Sequence, residues 1–284
     1  MYCILSIQGY QLCNCGDKYG GADCGHALVP GQVSWSLLFE LERLTGQVQG
    51  ASAGGTTELP HSRLGHSLLS LEPNQLWLFG GMDPARGDSD ELYVYDLDFD
   101  RWKKLNVSRD MGQAPTARRF HGAAMVVGSM YIFGGLNATG VLGDFWKFAT
   151  DFYTWTRVPT TPDVPALAGL TLTNVDNQQL VLIGGFSPEY GFQDKTLAYS
   201  IDAMDWRVLN TTGTVPIGVY GHTSNYHQPT QSIYVFGGIV YSIDRPLVSD
   251  HLYVLHMPSR RWSRLPPDDR ANPAYSRVSM TVFG

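Results

Sequence analysis

Residues 220–238 read YGHTSNYHQPTQSIYVFGG, in which a Gly–His element opens the stretch and a β-rich run ends in two glycines. The same ending recurs three more times along the chain, as LWLFGG, MYIFGG and LVLIGG. The glycine pairs are Gly80 and Gly81, Gly134 and Gly135, Gly184 and Gly185, and Gly237 and Gly238. An interval of roughly 50 residues between strand-rich units predicts a repeat architecture.

Other markers keep the same interval. A Gly–His or His–Gly element precedes three of the pairs, in RLGH at 63–66, RFHG at 119–122 and YGHT at 220–223, and the third repeat has ALAG at 166–169 instead. After each pair come a second β-rich run and a tryptophan: Trp102, Trp155, Trp206 and Trp262. Each unit therefore predicts four strands, a to d. We expect the glycine pair to end strand b in a sharp turn and the tryptophan of strand d to pack between neighbouring units.

These markers, in this order, resemble the kelch repeat over residues 61–284. The resemblance implies an all-β fold, an incomplete kelch β-propeller with full four-stranded blades at about 61–109, 115–160, 165–212 and 217–268. The stretch at 276–284, SRVSMTVFG, matches the start of another blade, which predicts a partial blade at 272–284. Trp35, in SWSLL, matches an isolated strand d. We therefore expect the chain to be a fragment of a longer protein or a short isoform.

All four cysteines lie in the first 24 residues. The segment CNCGDKYGGADCG, from Cys13 to Gly25, resembles the second half of an EGF-like module, which predicts a partial module at 1–25. A stray strand and a flexible linker are predicted at 26–60. By analogy with EGF-like modules, Cys15 and Cys24 form a disulfide, while Cys3 and Cys13 lack their partners. A zinc site is the alternative, although the paired Cys-x₂-Cys spacing of zinc ribbons is absent.

Charge and hydropathy narrow the function classes. The formal net charge is −6 and the sequence pI about 5.7, which argues against a nucleic-acid partner because such proteins carry a basic footprint. The pairs Arg118–Arg119 and Arg260–Arg261 are interpreted as solvated loop charges. No apolar run approaches the roughly 20 residues that span a bilayer, and no signal peptide is predicted in this chain.

An EGF-like segment followed directly by kelch-like repeats resembles the attractin family of single-pass cell-surface proteins. The stretches LPHSRLGHSLL, LGDFWKF and GGFSPEYGF, with the stretch at 220–238, resemble its branch with multiple EGF-like domains. The resemblance implies an ectodomain on the extracellular side of the plasma membrane that binds protein partners and acts in cell-surface signalling or receptor turnover. The alternative is an intracellular kelch substrate adaptor of a ubiquitin ligase.

Sequons support the extracellular setting. Asn106, Asn137 and Asn210 each begin an Asn-x-Ser/Thr motif, and we predict them to be glycosylated. Asn106 and Asn210 each follow their unit's tryptophan by four positions, in the connection from strand d to the next strand a. Unused sequons in an intracellular protein remain the alternative.

No catalytic residue, cofactor or metal site is predicted. His66, His121 and His222 recur with the repeat, which favours a structural role because active sites break symmetry. The acidic residues Asp83, Asp88, Asp90 and Glu91 are interpreted as a solvated loop rather than a metal site. No cysteine follows Cys24, so the cysteine–tyrosine cofactor of the copper-radical kelch oxidases cannot form in these repeats.

The partner-binding residues are predicted in the connections from strand b to strand c, at 82–90, 136–143, 186–195 and 239–249. Tyr190 and Phe192 lie in the third connection and Tyr241 in the fourth. Exposed aromatic side chains dominate the energetics of protein interfaces, so we hypothesise that this face binds a protein partner, rather than the connections from d to a. The alternative is that these rings pack down on neighbouring blades. No small-molecule substrate is predicted.

Overall fold

The structure is a computed structural model that describes residues 59–107, 114–216, 218–242 and 245–265, together with the backbone of four short strands before residue 28. The chain divides into two compact units, Met1–Leu59 and Pro60–Gly284. Within the described residues there is no α-helix, and none of the helical structure is long and apolar enough to cross a bilayer.

The first unit contains two small antiparallel pairs. Strand β1 (Tyr2–Leu5) pairs with β2 (Gln11–Asn14), and β3 (Tyr19–Gly20) pairs with β4 (His26–Ala27). The register places Cys3 opposite Cys13 on the backbone. Cys15, Cys24 and Trp35 lie outside the described residues, so the half-module and its disulfide stay predictions. The same holds for the partial blade at 272–284.

The described part of the second unit contains four large sheets, each accompanied by a small sheet, and we number these units as blades 1 to 4. Blade 1 is formed by β5 (Ser67–Leu71), β6 (Gln75–Phe79), the small strands β7 (Met82–Asp83) and β8 (Gly87–Asp88), β9 (Leu92–Asp96) and β10 (Arg101–Leu105). Blade 2 is formed by β11 (Gly122–Val126), β12 (Ser129–Phe133), β13 (Leu136–Asn137), β14 (Gly140–Val141), β15 (Phe145–Ala149) and β16 (Thr154–Val158).

Blades 3 and 4 repeat the pattern. Blade 3 contains β17 (Thr171–Val175), β18 (Gln179–Ile183), β19 (Phe186–Ser187), β20 (Gly191–Phe192), β21 (Leu197–Ser200) and β22 (Asp205–Val208). Blade 4 contains β23 (Thr212–Gly213), β24 (Val219–Tyr220), β25 (Thr223–His227), the 3₁₀ turn η1 (Gln228–Thr230), β26 (Ser232–Phe236), β27 (Ile239–Ser242), β28 (Arg245–Val248), β29 (Leu252–His256) and β30 (Arg261–Leu265).

In every blade, strands a to d form one antiparallel meander in sequence order, as in β5–β6–β9–β10 of blade 1. Blade 4 differs from the predicted four strands, because β23 joins the outer edge of β30 as a fifth, parallel strand. The fold class is confirmed as an all-β, incomplete propeller.

The blades are joined by three hydrophobic clusters, one at each interface. The cluster between blades 1 and 2 contains Phe79 and Phe148, that between blades 2 and 3 contains Phe133 and Leu180, and that between blades 3 and 4 contains Val181 and Ile233. In blades 2 and 3, which have a blade on either side, strands b and c are largely buried on both faces, which explains their continuous apolar runs. In blade 4 the burial of these strands alternates between buried and partly exposed residues.

Three of the four strand d tryptophans pack between blades. The Trp155 ring lies 5.2 Å from that of Phe79 in blade 1, and the Trp206 ring lies 5.5 Å from that of Phe133 in blade 2. Trp262 is in the cluster shared by blades 3 and 4. Trp102 belongs to the first described blade, and its ring packs 5.1 Å from Tyr95 of the same blade.

The a strands of consecutive blades lie side by side, in the order β5, β11, β17 and β25. Together they line a cavity of about 590 Å³. Strand a is therefore the innermost strand of each blade and strand d the outermost, which is the radial arrangement of a propeller.

Candidate partner-binding face

The connections from strand b to strand c are small hairpins rather than loops. In blades 1 to 3 they are the two-stranded pairs β7–β8, β13–β14 and β19–β20. In blade 4 the hairpin β27–β28 is joined by β24 to make three strands. Because strand b ends and strand c begins at one end of each sheet, all four hairpins leave the same face of the blades, which we call the hairpin face.

Each hairpin is fixed to the segment that enters its own blade. Leu64 bridges Met82, Arg119 bridges Leu136, and Ala168 bridges Phe186. In blade 4 the equivalent contact is Tyr220 opposite Ile239. Backbone hydrogen bonds therefore hold each hairpin at its base, so the backbone that carries the side chains at the tip is fixed in position.

The glycine pairs bring consecutive blades together at the base of this face. The N–H groups of Gly81, Gly135 and Gly185 donate 2.8 Å hydrogen bonds to carbonyls of the next blade. Both glycines of each pair have positive φ. A Cβ on Gly134 would lie 2.4 Å from the carbonyl oxygen of Leu167 in the next blade, a distance no side chain tolerates. Glycine is required here by the close approach of a neighbouring backbone.

Arg118 corrects the interpretation of the Arg118–Arg119 pair as solvated loop charges. Its side chain is fully buried and forms a bidentate ion pair with Asp144, with distances of 2.7 and 2.9 Å from its two terminal nitrogens. It also donates to the carbonyl of Gly134 at 3.0 Å, at the end of strand b. Burial alone would raise the pKa of Asp144, but the hydrogen bonds and charge of Arg118 lower it. The ion pair thus connects three segments of blade 2 next to its hairpin: the segment before strand a, the end of strand b and the residue before strand c.

Two of the acidic residues at 83–91, Asp88 and Glu91, are ion-paired rather than simply solvated. Glu91 contacts Arg63 at 3.0 Å and Lys104 at 2.9 Å, and Asp88 pairs with Arg119 of the next blade. Burial disfavours the charged form of Glu91, yet the hydrogen bonds from Lys104 and Arg63 outweigh it and lower the pKa to about 2. Among the described residues, no group of three His, Cys, Asp or Glu side chains is arranged to hold a metal ion.

The repeated histidines lie between blades. His121 Nε2 is 2.9 Å from the hydroxyl of Ser67 in blade 1, and His222 Nε2 is 2.9 Å from the hydroxyl of Thr171 in blade 3. Burial lowers the pKa of each to about 3, and the charge of Arg118 adds to the shift at His121. Both imidazoles are therefore neutral at physiological pH and tie strand a of one blade to strand a of the next.

The three predicted partner-binding residues differ in setting. Tyr190 is 67% exposed near the turn of the β19–β20 hairpin. Phe192 is half-buried, and its ring lies 5.2 Å from that of Phe186. It also packs close to Gly218 of the next blade, since a Cβ added at Gly218 would lie only 3.0 Å from the Cβ of Phe192. Phe192 thus packs down, whereas Tyr190 projects to solvent. Tyr241 lies in β27 opposite Pro246, and its side chain is outside the described residues.

Phe120, which lines the cavity of about 590 Å³, and the adjacent Tyr220 are absent from the sequence prediction. Phe120 has φ of 55°, in the position that glycine occupies in RLGH, ALAG and YGHT. The ring of Phe120 lies 5.9 Å from that of Tyr220. The Tyr220 ring in turn packs against Gly169, where an added Cβ would lie 2.3 Å from the ring. Alignment of the four repeats could have revealed Phe120, since a bulky residue at a left-handed position is unusual.

The sequons lie on the surface of the same end of the blades. Asn106 and Asn210 are exposed in connections that start where strand d ends, which is the end of the sheet that also carries the hairpins. Asn137 is half-buried in the β13–β14 hairpin, and its amide nitrogen donates to the carbonyl of Ala117 at 3.2 Å. Asn106 and Asn210 are thus the more accessible acceptors, at the outer rim of the hairpin face.

Comparison with known proteins gives the same architecture. A family model described as Attractin/LZTR1 beta-propeller matches residues 76–283. The chain is 38% identical over 247 residues to human Multiple epidermal growth factor-like domains protein 8, a match that covers 85% of this chain and 8% of that protein. It is 24% identical over 247 residues to bovine Kelch domain-containing protein 3, with 84% of this chain and 63% of that protein covered. The chain spans less than a tenth of the human and mouse relatives with multiple EGF-like domains.

Proposed function

Because the chain belongs to the Attractin/LZTR1 β-propeller family, we propose that it is a non-catalytic protein-interaction module that binds its partner through the hairpin face. The observation that carries this is Tyr190, a large ring 67% exposed on a hairpin anchored at its base by Phe186 and Phe192. A rigid aromatic side chain loses little conformational freedom on binding, which is why tyrosine is frequent among interface hot spots.

The binding role is tested by replacing Tyr190 with serine in the full-length protein. The substitution removes an exposed ring, so we expect partner binding to be lost while the melting temperature stays unchanged. Phe152→Ser is the matched control, because Phe152 is 77% exposed in the turn between strands c and d of blade 2, at the end of the blades opposite the hairpins. We expect a crosslinked partner with the wild type and with Phe152→Ser, and none with Tyr190→Ser. Identical crosslinking profiles for the two variants would refute the assignment of the face.

The module's setting is the extracellular side of a cell-surface, single-pass membrane protein that acts in signalling or receptor turnover. The exposed sequon asparagines Asn106 and Asn210 support this, as does the identity to relatives whose names specify multiple EGF-like domains. The membrane anchor and the signalling role belong to the full-length protein.

Glycosylation tests the setting. We expect glycosidase treatment of protein made by mammalian cells to increase its gel mobility, because both asparagines are accessible to the transferase in the secretory pathway. Asn106→Gln and Asn210→Gln should each remove one glycan and so reduce the mobility shift by one increment. Asn174 is not in a sequon, so Asn174→Gln should leave the shift unchanged. Unchanged mobility after treatment would favour the intracellular adaptor.

A further inference from the structure

Blade 4 shows how the outer edge of a blade accepts an additional strand. The segment that enters this blade runs parallel to β30: Thr212 N–H donates to the carbonyl of Arg260 at 3.0 Å, and Thr214 N–H donates to that of Trp262 at 3.1 Å. Gly213 lies between them with φ of 89°, and a Cβ there would be 2.1 Å from the Trp262 carbonyl oxygen. Seating a strand on this edge therefore requires glycine at that position.

The corresponding segment of blade 3 does not use its edge. Residues 160–165 read TTPDVP where residues 211–216 read TTGTVP. The valine of each segment packs in the cluster that its blade shares with the preceding blade. Pro162 replaces the glycine, and Val164 N–H donates to the carbonyl of Thr161 at 3.1 Å, which closes a turn. Proline favours the second position of such a turn, and its ring fixes φ at about −65°, so it cannot adopt the φ of 89° that Gly213 has in blade 4. The segment consequently turns instead of pairing with β22.

A groove of about 500 Å³ lies where the added strand would be. It is lined by the turn and by β22, with Tyr190 and Phe192 of the hairpin among its walls. Leu209 N–H donates to the carbonyl of Thr196 at 2.8 Å, so alternation along the antiparallel pair turns the backbone groups of Trp206 and Val208 outward. Among the residues that the structure describes, no backbone donor from outside the sheet reaches the Trp206 carbonyl.

We propose that the edge of β22 in blade 3 binds an extended segment of a partner protein, parallel to β22 as β23 is to β30, with a glycine opposite the Trp206 carbonyl. The occupant is identified by the chain's own segment in the equivalent place of blade 4, which fixes orientation, register and the need for glycine. An exposed strand edge is a template for such strand addition. The proposal rests on the proposed function, since it specifies how a protein partner is held beside Tyr190.

The test uses a fluorescent peptide with the sequence of residues 209–216, LNTTGTVP, titrated onto the 284-residue chain by anisotropy. We expect saturable binding, and at least about 10-fold weaker binding of the peptide LNTTVTVP, because its valine Cβ would collide with the Trp206 carbonyl. This comparison leaves the protein unchanged, so it does not depend on how a variant folds. Absence of binding up to about 1 mM peptide, or equal affinity for the two peptides, would overturn the proposal.

A second experiment fills the groove with a segment of the chain itself. The double variant Pro162→Gly/Asp163→Thr gives blade 3 the TTGTVP segment of blade 4, so the chain's own backbone should seat on β22 at a high effective concentration. We expect the amide at position 163 to become protected from hydrogen exchange and the affinity for LNTTGTVP to fall at least about 10-fold. Pro159→Gly, at a position aligned with Asn210, is the control and should bind the peptide as the wild type does. Protection at position 163 with unchanged peptide affinity would place the peptide elsewhere and overturn the proposal.

The two proposals fail separately. If neither peptide binds while Tyr190→Ser still abolishes partner binding, the hairpin face remains the binding surface and the strand-addition mode is wrong. If LNTTGTVP binds as expected while Tyr190→Ser leaves partner binding intact, the edge of β22 is a peptide site and the assignment of the hairpin face is wrong.

Discussion

Replacing Asp144 with alanine is expected to lower the free energy of unfolding by about 3–5 kcal/mol, the cost of leaving one member of a buried ion pair without its partner. The guanidinium of Arg118 is fully buried and donates two of its hydrogen bonds to the Asp144 carboxylate. Its other acceptors, including the carbonyls of Gly134 and Thr116, are uncharged and cannot replace the lost counterion. Urea denaturation followed by tryptophan fluorescence measures the change.

Blade 3 supplies the matched control for this prediction. The position of Arg118 is occupied there by the buried Leu167 and that of Asp144 by the exposed Lys195, which shows that the fold accepts an apolar side chain in place of the buried guanidinium. The double variant Arg118→Leu/Asp144→Thr should therefore recover most of the loss, since no unpaired charge remains. If Asp144→Ala costs less than about 1 kcal/mol, the value of an exposed ion pair, the burial of Arg118 in solution is wrong.

Acidification is expected to destabilise the blades through His121 and His222. Both have a folded-state pKa of about 3, below the ordinary value of 6.5, because burial disfavours the charged imidazole. Between these two values the unfolded chain binds protons that the folded chain does not, so stability falls as the pH falls through this window. Each histidine contributes about 1.4 kcal/mol per pH unit, or about 2.7 kcal/mol per unit for the two.

The variant His121→Gln/His222→Gln isolates this effect from that of the carboxylates. Glutamine can keep a hydrogen bond to Ser67 or Thr171 but does not titrate. The stability of the wild type should therefore fall more steeply than that of the variant between pH 6 and pH 4.5, by about 2.7 kcal/mol per unit. Glu91 and Asp144 have lowered pKa values, so their stabilisation is lost at still lower pH and in both proteins. Parallel pH profiles for the wild type and the double variant would contradict the burial of both rings.

Most of the fold could be predicted from the repeat markers. The runs LYVY, FWKF, LAYS and LYVL became strand c in each blade because apolar residues on both faces of a strand require a sheet buried on both sides. The glycine pairs directly follow strand b in all four blades, and Trp155, Trp206 and Trp262 bridge blades. These features depend on residue type and local spacing, which a single sequence displays.

The features missed from the sequence depend on partners distant along the chain. Arg118 resembles a loop charge until the fold places Asp144, 26 positions away, against it. Phe192 and Tyr190 are two positions apart, yet one packs on Phe186 beside Gly218 and the other faces solvent. The fifth strand of blade 4 follows from a glycine in place of a proline, a difference whose meaning depends on the neighbouring edge of β30.

The measurement that tests the central claim most directly is the dissociation constant of the crosslinked partner for the full-length protein and its two serine variants. Binding through the hairpin face predicts that Tyr190→Ser weakens the complex by about 30-fold or more, the equivalent of a hot spot of about 2 kcal/mol. Phe152→Ser, in the neighbouring blade 2 and at the end opposite the hairpins, should leave the constant unchanged. Weakening by Phe152→Ser with wild-type affinity for Tyr190→Ser would show that the partner binds at the other face.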